Sequence, residues 1–175
     1  MKEHFEQLVK SRQSCRNFND KPLDKSTVEE IARLSMLCPS ACNSQPWNMY
    51  LVTSPEKVYN TAVALGLNGH NKFLSGAKAF IVLAEKQATL KPGVRFDRNH
   101  FVKYDIGELL AYVTLSAKSM GVESCIIGMV DQALIGDAVG LKEGELCNVA
   151  VALGYSDAPL REKKRKLESE VIEIV

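Results

Sequence analysis

A single domain of mixed helices and strands is what this sequence predicts, on three observations. Four short apolar runs bounded by turn signals read as buried strands: Trp47 to Val52, Ala77 to Ala84, Val122 to Ile127 and Cys147 to Leu153. Between them lie segments with apolar residues at helical spacing, the longest running from Phe101 to Met120. A length of 175 residues, 46% hydrophobic and 25% charged, suits one globular core and excludes disordered and fibrous classes.

Taken in order, Glu3 to Val9 reads as a short helix with Phe5, Leu8 and Val9 on one face. Ser26-Thr27-Val28-Glu29 has the form of a capping box, in which hydroxyl and carboxylate satisfy two free amides at a helix start. Val28, Ile31, Leu34 and Leu37 then repeat at helical spacing, and Pro39 ends the helix near Cys38. Ser54 followed by Pro55 opens a third helix running towards Gly66. The stretch Glu85 to Asn99, with Pro92 and Gly93, is irregular and offers a lid over a site. The segment Phe101 to Met120 is apolar on most sides, which places it in a thick core or a subunit interface; Gly121 suits a left-handed end. Asp131 to Val139 reads as a short helix. After Gly154 the chain turns polar and basic, then closes on the β-rich Val171 to Val175, which needs a sheet edge that a partner chain could supply. Met36, Met120 and Met129 read as core packing.

With 22 Lys and Arg against 21 Asp and Glu, nothing in the total charge points to nucleic acid or an anionic membrane as partner. The first ten residues lack an apolar signal core, and no apolar stretch is long enough to span a bilayer, so the expectation is a soluble, cytoplasmic protein. Five cysteines (Cys15, Cys38, Cys42, Cys125, Cys147) fit free thiols in a reducing compartment. Cys38 and Cys42 stand at the edge of metal-ligand spacing, but the three histidines form no paired motif to complete a zinc site. Glycine-rich nucleotide loops and the nucleophile-elbow motif are absent from the sequence.

Three constellations carry chemistry. In an extended stretch, Arg12, Ser14 and Arg16 share one face, and two guanidiniums flanking a hydroxyl suit a phosphate; the alternative is a solvated basic junction. The segment Pro39-Ser40-Ala41-Cys42-Asn43-Ser44-Gln45-Pro46-Trp47 packs small polar side chains between two prolines. Those groups suit the edge of a planar polar ring, or else a capped turn from helix to strand. The run Arg161 to Lys166 is either a solvated linker or a second cationic clamp.

Arg-x-Ser-x-Arg-x-Phe from Arg12 to Phe18, Pro-Ser-x-x-Asn-x-Gln-Pro-Trp from Pro39 to Trp47, and a basic Lys-x-Arg near the C-terminus together resemble the FMN-dependent nitroreductase family. Ile126-Ile127-Gly128 and the Leu-Gly-Tyr ending at Tyr155 fit the same layout, so the resemblance covers essentially the whole chain. It implies an α+β fold with a central, mostly antiparallel sheet flanked by helices. It also implies a homodimer whose C-terminal segment reaches the partner subunit, with two FMN sites at the interface. By position, Arg12, Ser14 and Arg16 would hold the FMN phosphate and ribityl chain, joined by Lys163 and Arg165. Pro39, Ser40, Asn43 and Gln45 would approach the ring from the second subunit. Ile127 and Gly128 would lie near its reactive edge, and Asn71 is a further ring contact.

The activity implied is ping-pong electron transfer from NADH or NADPH to a small organic acceptor such as a nitroaromatic or quinone, with no catalytic acid or base required. Cationic or amide donors near the pyrimidine would stabilise the anionic reduced ring. The same fold also serves other roles, and a reductive dehalogenase, a flavin-handling enzyme or a non-catalytic FMN-binding module stands as the alternative. Speed of reduction by NADH or NADPH separates them. Cys15, inside the phosphate motif, reads either as a thiol acidified by two arginines or as packed and inert.

Overall fold

The computed structural model describes residues 1–89, 91–93, 97 and 99–175. Among these, four strands form one sheet: β1 (Trp47–Val52), β2 (Ala79–Glu85), β3 (Glu123–Ile127) and β4 (Leu146–Gly154). Their spatial order is β1-β2-β4-β3, and every neighbouring pair is antiparallel. Five α-helices accompany them: α1 (Lys2–Ser11), α2 (Lys25–Ser35), α3 (Pro55–Ala64), α4 (Val102–Ser119) and α5 (Gln132–Val139). The expected α+β class, with its antiparallel sheet between helices, is what the chain adopts.

The central strands explain why the apolar runs are continuous. Successive side chains of a strand point to opposite faces. Ala79, Ile81 and Leu83 of β2, with Val151 and Leu153 of β4, pack against Val28 and Ile31 of α2 and Ile106, Leu109 and Val113 of α4. Phe80 and Val82, with Ala150 and Ala152, pack on the other face with Ala62 of α3 and Ile135 of α5. Both faces are covered, so neither can carry an alternating polar set. Burying such side chains contributes about 1.5–3 kcal/mol each.

Helix α4 buries one stripe, Val102, Ile106, Leu109, Val113 and Ala117, at spacings of three and four. Its opposite face exposes Tyr104 and Tyr112. Helix α1 has no buried residue at all and leaves Phe5 and Val9 open. The apolar surplus noted in the sequence therefore lies partly on the surface of the single chain.

Several local expectations are corrected. The Ser26 to Glu29 capping box does not form: the helix begins two residues earlier at Asp24, and Glu29 pairs with Lys25 at 3.5 Å, one turn back. Asp24 takes the N-cap position with no side-chain cap bond, its carbonyl accepting from the Thr27 and Val28 amides at 3.1 and 3.3 Å. Ser54 stands at the N-cap of α3 with no side-chain cap bond, its carbonyl accepting from the Val58 amide at 2.9 Å. Met36 and Met129 are more than half exposed rather than core, while Met120 does pack on the α2–α4 side. Val171 to Val175 pairs with no strand among the described residues; a 3-10 turn at Glu168–Glu170 precedes it, and the tail is exposed. Of the lid expected over Glu85 to Asn99, residues Leu90, Val94, Arg95, Phe96 and Arg98 lie outside the described residues. No helix among the described residues is long and apolar enough to cross a membrane.

Candidate functional site

Arg12 leaves α1 in an extended conformation, and the chain then runs beside the β3 edge. Ser14 forms a parallel bridge with Ser124, and the Cys15 amide donates to the Ser124 carbonyl at 2.8 Å. Alternation follows: Cys15 turns inward and is 4% exposed, while Ser14 and Arg16 face out. A packed thiol is thus the outcome for Cys15. Arg16 also lies over the Phe73 ring at 5.9 Å, a cation–π contact that steadies it.

The segment after β4 returns along this same strip. Ser156 Oγ donates to the Asn17 carbonyl at 2.5 Å, and Gln13 Nε2 donates to the Pro159 carbonyl at 3.3 Å. Gln13 Oε1 accepts from both the Arg161 amide (3.2 Å) and Arg161 Nε (3.3 Å). Arg161 Nη2 donates to the Ser14 carbonyl at 2.5 Å, and Lys163 Nζ donates to the Arg12 carbonyl. The result is a cleft of about 300 Å³ whose lining includes Arg12, Ser14 and Arg16 from one end of the chain and Arg161, Lys163, Lys164 and Arg165 from the other.

Six cationic side chains line this cleft against one carboxylate, Glu162. Lys163 is held below its ordinary value of 10.5, first by burial and then by repulsion from Arg12, Arg165 and Lys118. A self-repelling set of forked and point-charge donors is relieved by an anion of high charge density, and a phosphate monoester fits that donor set. The first and third constellations of the sequence therefore converge on one cationic cleft.

The second constellation is built differently. Pro39 to Gln45 folds around a 3-10 turn at Ala41–Asn43, with the Gln45 amide donating to Ser40 Oγ at 3.0 Å and Gln45 Nε2 to Asn43 Oδ1 at 3.2 Å. Cys42, Asn43 and Gln45 all have positive φ, at 53°, 52° and 44°. Three non-glycine residues in the left-handed region within four positions cost roughly 1–3 kcal/mol each, a strain concentrated at functional sites. Asn43 and Gln45 are exposed, and none of these residues lines the cationic cleft of the same chain. Cys38, just before the loop, has its thiol pushed up to about 11 by burial, with Glu108 and Asp105 adding to the effect.

Asn71 is committed locally, its side-chain amide donating to the Leu65 carbonyl at 2.7 Å. Ile127 is 4% exposed and packs in the core beneath α3 and α5, so only its backbone can face a ligand; Gly128 beside it is open. The sequence names Arg161 only as part of the basic run, and it gives no role to Gln13 or Asp105. Gln13 and Arg161 lie inside the basic motifs and could have been found there, whereas nothing local marks Asp105. No group of three or more His, Cys, Asp or Glu comes together as a metal site among the described residues.

The sequence matches the nitroreductase family over residues 9–67 and 61–155. An oxygen-insensitive NADPH nitroreductase of Helicobacter pylori is 24% identical over 93% of each chain. A nitroreductase family protein of Streptococcus pneumoniae superposes with a TM-score of 0.81 at 20% identity, covering 98% of this chain and all of that one. A Staphylococcus epidermidis protein assigned as an NAD(P)H:FMN oxidoreductase superposes with a TM-score of 0.80 at 19% identity, covering 98% of this chain and 95% of that one. With motif order, fold and family match in agreement, the chain belongs to the nitroreductase family.

Proposed function

We propose that this nitroreductase-family oxidoreductase binds FMN and works as a homodimer, using NADH or NADPH to reduce nitroaromatics, quinones or similar small electron-poor acceptors. The observation that carries the reading is the meeting of Arg12, Ser14 and Arg16 with Lys163 and Arg165 in one cleft. A phosphate there would be held by forked guanidinium bonds and the Ser14 hydroxyl, and it would relieve the repulsion felt by Lys163. Arg12, Ser14, Arg16, Lys163 and Arg165 would hold FMN by its phosphate, and the flavin would supply the hydride-accepting and electron-donating chemistry that a ping-pong reaction with a nicotinamide donor and an organic acceptor requires. The residues of this chain then bind, orient and polarise. Asn43 and Gln45 offer amide donors and acceptors suited to the edge of the ring system. Names of relatives add support: NADPH nitroreductase in Helicobacter pylori, and 4-nitrobenzoate reductase in Pseudomonas putida at 25% identity over 87% of this chain.

Dimer formation is supported by surplus apolar surface: Phe5, Tyr104, Tyr112, Ile172 and Ile174 are all exposed in the single chain. Since Pro39 to Gln45 lies outside the chain's own cleft, a partner is the natural source of that loop for each site. Purified protein should show a flavin absorption spectrum that bleaches within seconds of anaerobic NADH or NADPH. A protein that stays colourless after incubation with FMN overturns the proposal.

A further inference from the structure

Asp105 is 3% exposed in the first turn of α4, and one of its oxygens, Oδ2, is buried with no hydrogen-bond partner among the described residues. Buried carboxylates are costly unless their oxygens are satisfied. The positive end of α4 offsets part of that cost. The other oxygen, Oδ1, accepts from the Ala41 amide at 3.0 Å, across 64 positions of sequence. Ala41 opens the 3-10 turn whose next residues, Cys42 and Asn43, sit at positive φ. The remaining bonds of the loop run within it or to its immediate ends: the Asn43 amide to the Ser40 carbonyl at 2.9 Å, the Ser44 amide to the Ala41 carbonyl at 3.0 Å, and the Gln45 amide to Ser40 Oγ at 3.0 Å. Bonds of that kind travel with the loop and do not fix where it sits on the molecule.

We infer that Asp105 is a positioning residue, pinning the strained Pro39–Gln45 loop to α4 through the Ala41 amide so that Asn43 and Gln45 are presented outward in one conformation. The consequence for flavin binding rests on the function proposed above; the pinning itself does not. A strained loop persists only where its surroundings over-determine it; the Lys86 amide holds the Pro46 carbonyl just after the loop at 2.9 Å, and Asp105 anchors the strained turn itself. A carboxylate accepts such a bond more strongly than a neutral group, which suits a site that must hold unfavourable backbone angles.

Two readouts separate the inference from the proposed function. The first needs no cofactor: amide hydrogen exchange of Ala41 in the purified ligand-free protein. Asp105→Ala should speed that exchange by about tenfold or more, while Asp105→Asn, which keeps an acceptor oxygen, should restore most of the protection. Ala41→Pro removes the donor without opening the core, since proline is accepted at the first position of such a turn and Ser40 is already extended at ψ 156°. If Asp105→Ala does not fold, Ala41→Pro carries the test. The second readout is the FMN dissociation constant. Both Ala41→Pro and Asp105→Ala should raise it by about tenfold, and the double variant should raise it no further, because both remove one interaction. Unchanged Ala41 exchange in Asp105→Ala, or an Asp105→Asn variant as damaged as Asp105→Ala, overturns the pinning role. In the Ala41→Pro fallback, unchanged exchange at Cys42 to Gln45 does so. Faster Ala41 exchange in Asp105→Ala, found together with a wild-type protein that binds no FMN, overturns the proposed function and leaves the pinning established.

Discussion

Arg161 donates through Nη2 to the main-chain carbonyl of Ser14 at 2.5 Å, joining residues 147 positions apart. The bond aligns two basic strips that the sequence keeps at opposite ends. It also occupies the Ser14 carbonyl with a cation that itself lines the cleft.

Replacing Arg12 with alanine removes one forked cation from the cleft. FMN affinity should fall by about 10- to 100-fold, the range for a hydrogen bond to a charged group. Isothermal titration at two salt concentrations checks it, since the wild-type affinity should also weaken with salt while the variant's does so less. An unchanged affinity means the phosphate lies elsewhere.

Removing every residue after Ser156 deletes Lys163, Arg165 and the exposed apolar tail together. The shortened protein should lose FMN and sediment as a monomer. A dimer that retains FMN would rule out both the C-terminal clamp and the tail's part in assembly.

Lys163 gives a pH signature. Its folded pKa is depressed below 10.5 by burial and neighbouring cations. Between the folded value and 10.5 the unfolded chain holds more protons on this group, so stability contributed by Lys163 rises with pH across that window. Below it, the charged lysine is a fixed penalty. In low-salt denaturant titrations of ligand-free protein, the rise should shrink in Lys163→Met. Adding inorganic phosphate should flatten it by favouring the charged form.

Gly154 closes β4 against Phe18, and a Cβ there would stand 2.8 Å from Phe18 Cδ1. Gly154→Ala should destabilise the fold by about 1–3 kcal/mol, as overpacking does. Because Phe18 is two residues beyond Arg16, the variant should also weaken FMN binding. Thermal melting and flavin titration on one sample test both effects.

Four of the five cysteines are buried and Cys42 is exposed. Cys38 and Cys147 carry thiols pushed up to about 11, in each case chiefly by burial. Thiolate is the reactive form, so an aromatic disulfide reagent should label one thiol quickly in the native protein at pH 8. Cys42→Ser should abolish that fast phase.

Strand positions and both basic motifs were legible because their signals are local. A two-sided buried strand such as β2 must be apolar throughout, and the longest helix announces itself by repeated spacing. What the sequence concealed were choices between near-equal local options and bonds between distant segments. Asp24 and Ser26 can each cap a helix, and nothing in their neighbourhood decides between them. Met36 and Met129 are apolar by composition, yet exposure is a property of the whole surface. Asp105 resembles any acid in the first turn of a helix until the fold brings Ala41 beside it. Ile127 ends a strand where the apolar run predicted one, and its side chain belongs to the core.

The meeting of residues 12–16 with residues 161–165 also orders events during synthesis. A nascent chain still on the ribosome holds half of the cationic cleft and has nothing to close it with. The helices and all four strands are encoded before Arg161 is made, so the scaffold can mature first. Closure of the cationic cleft is then a late step, taken by a chain whose sheet is already in place.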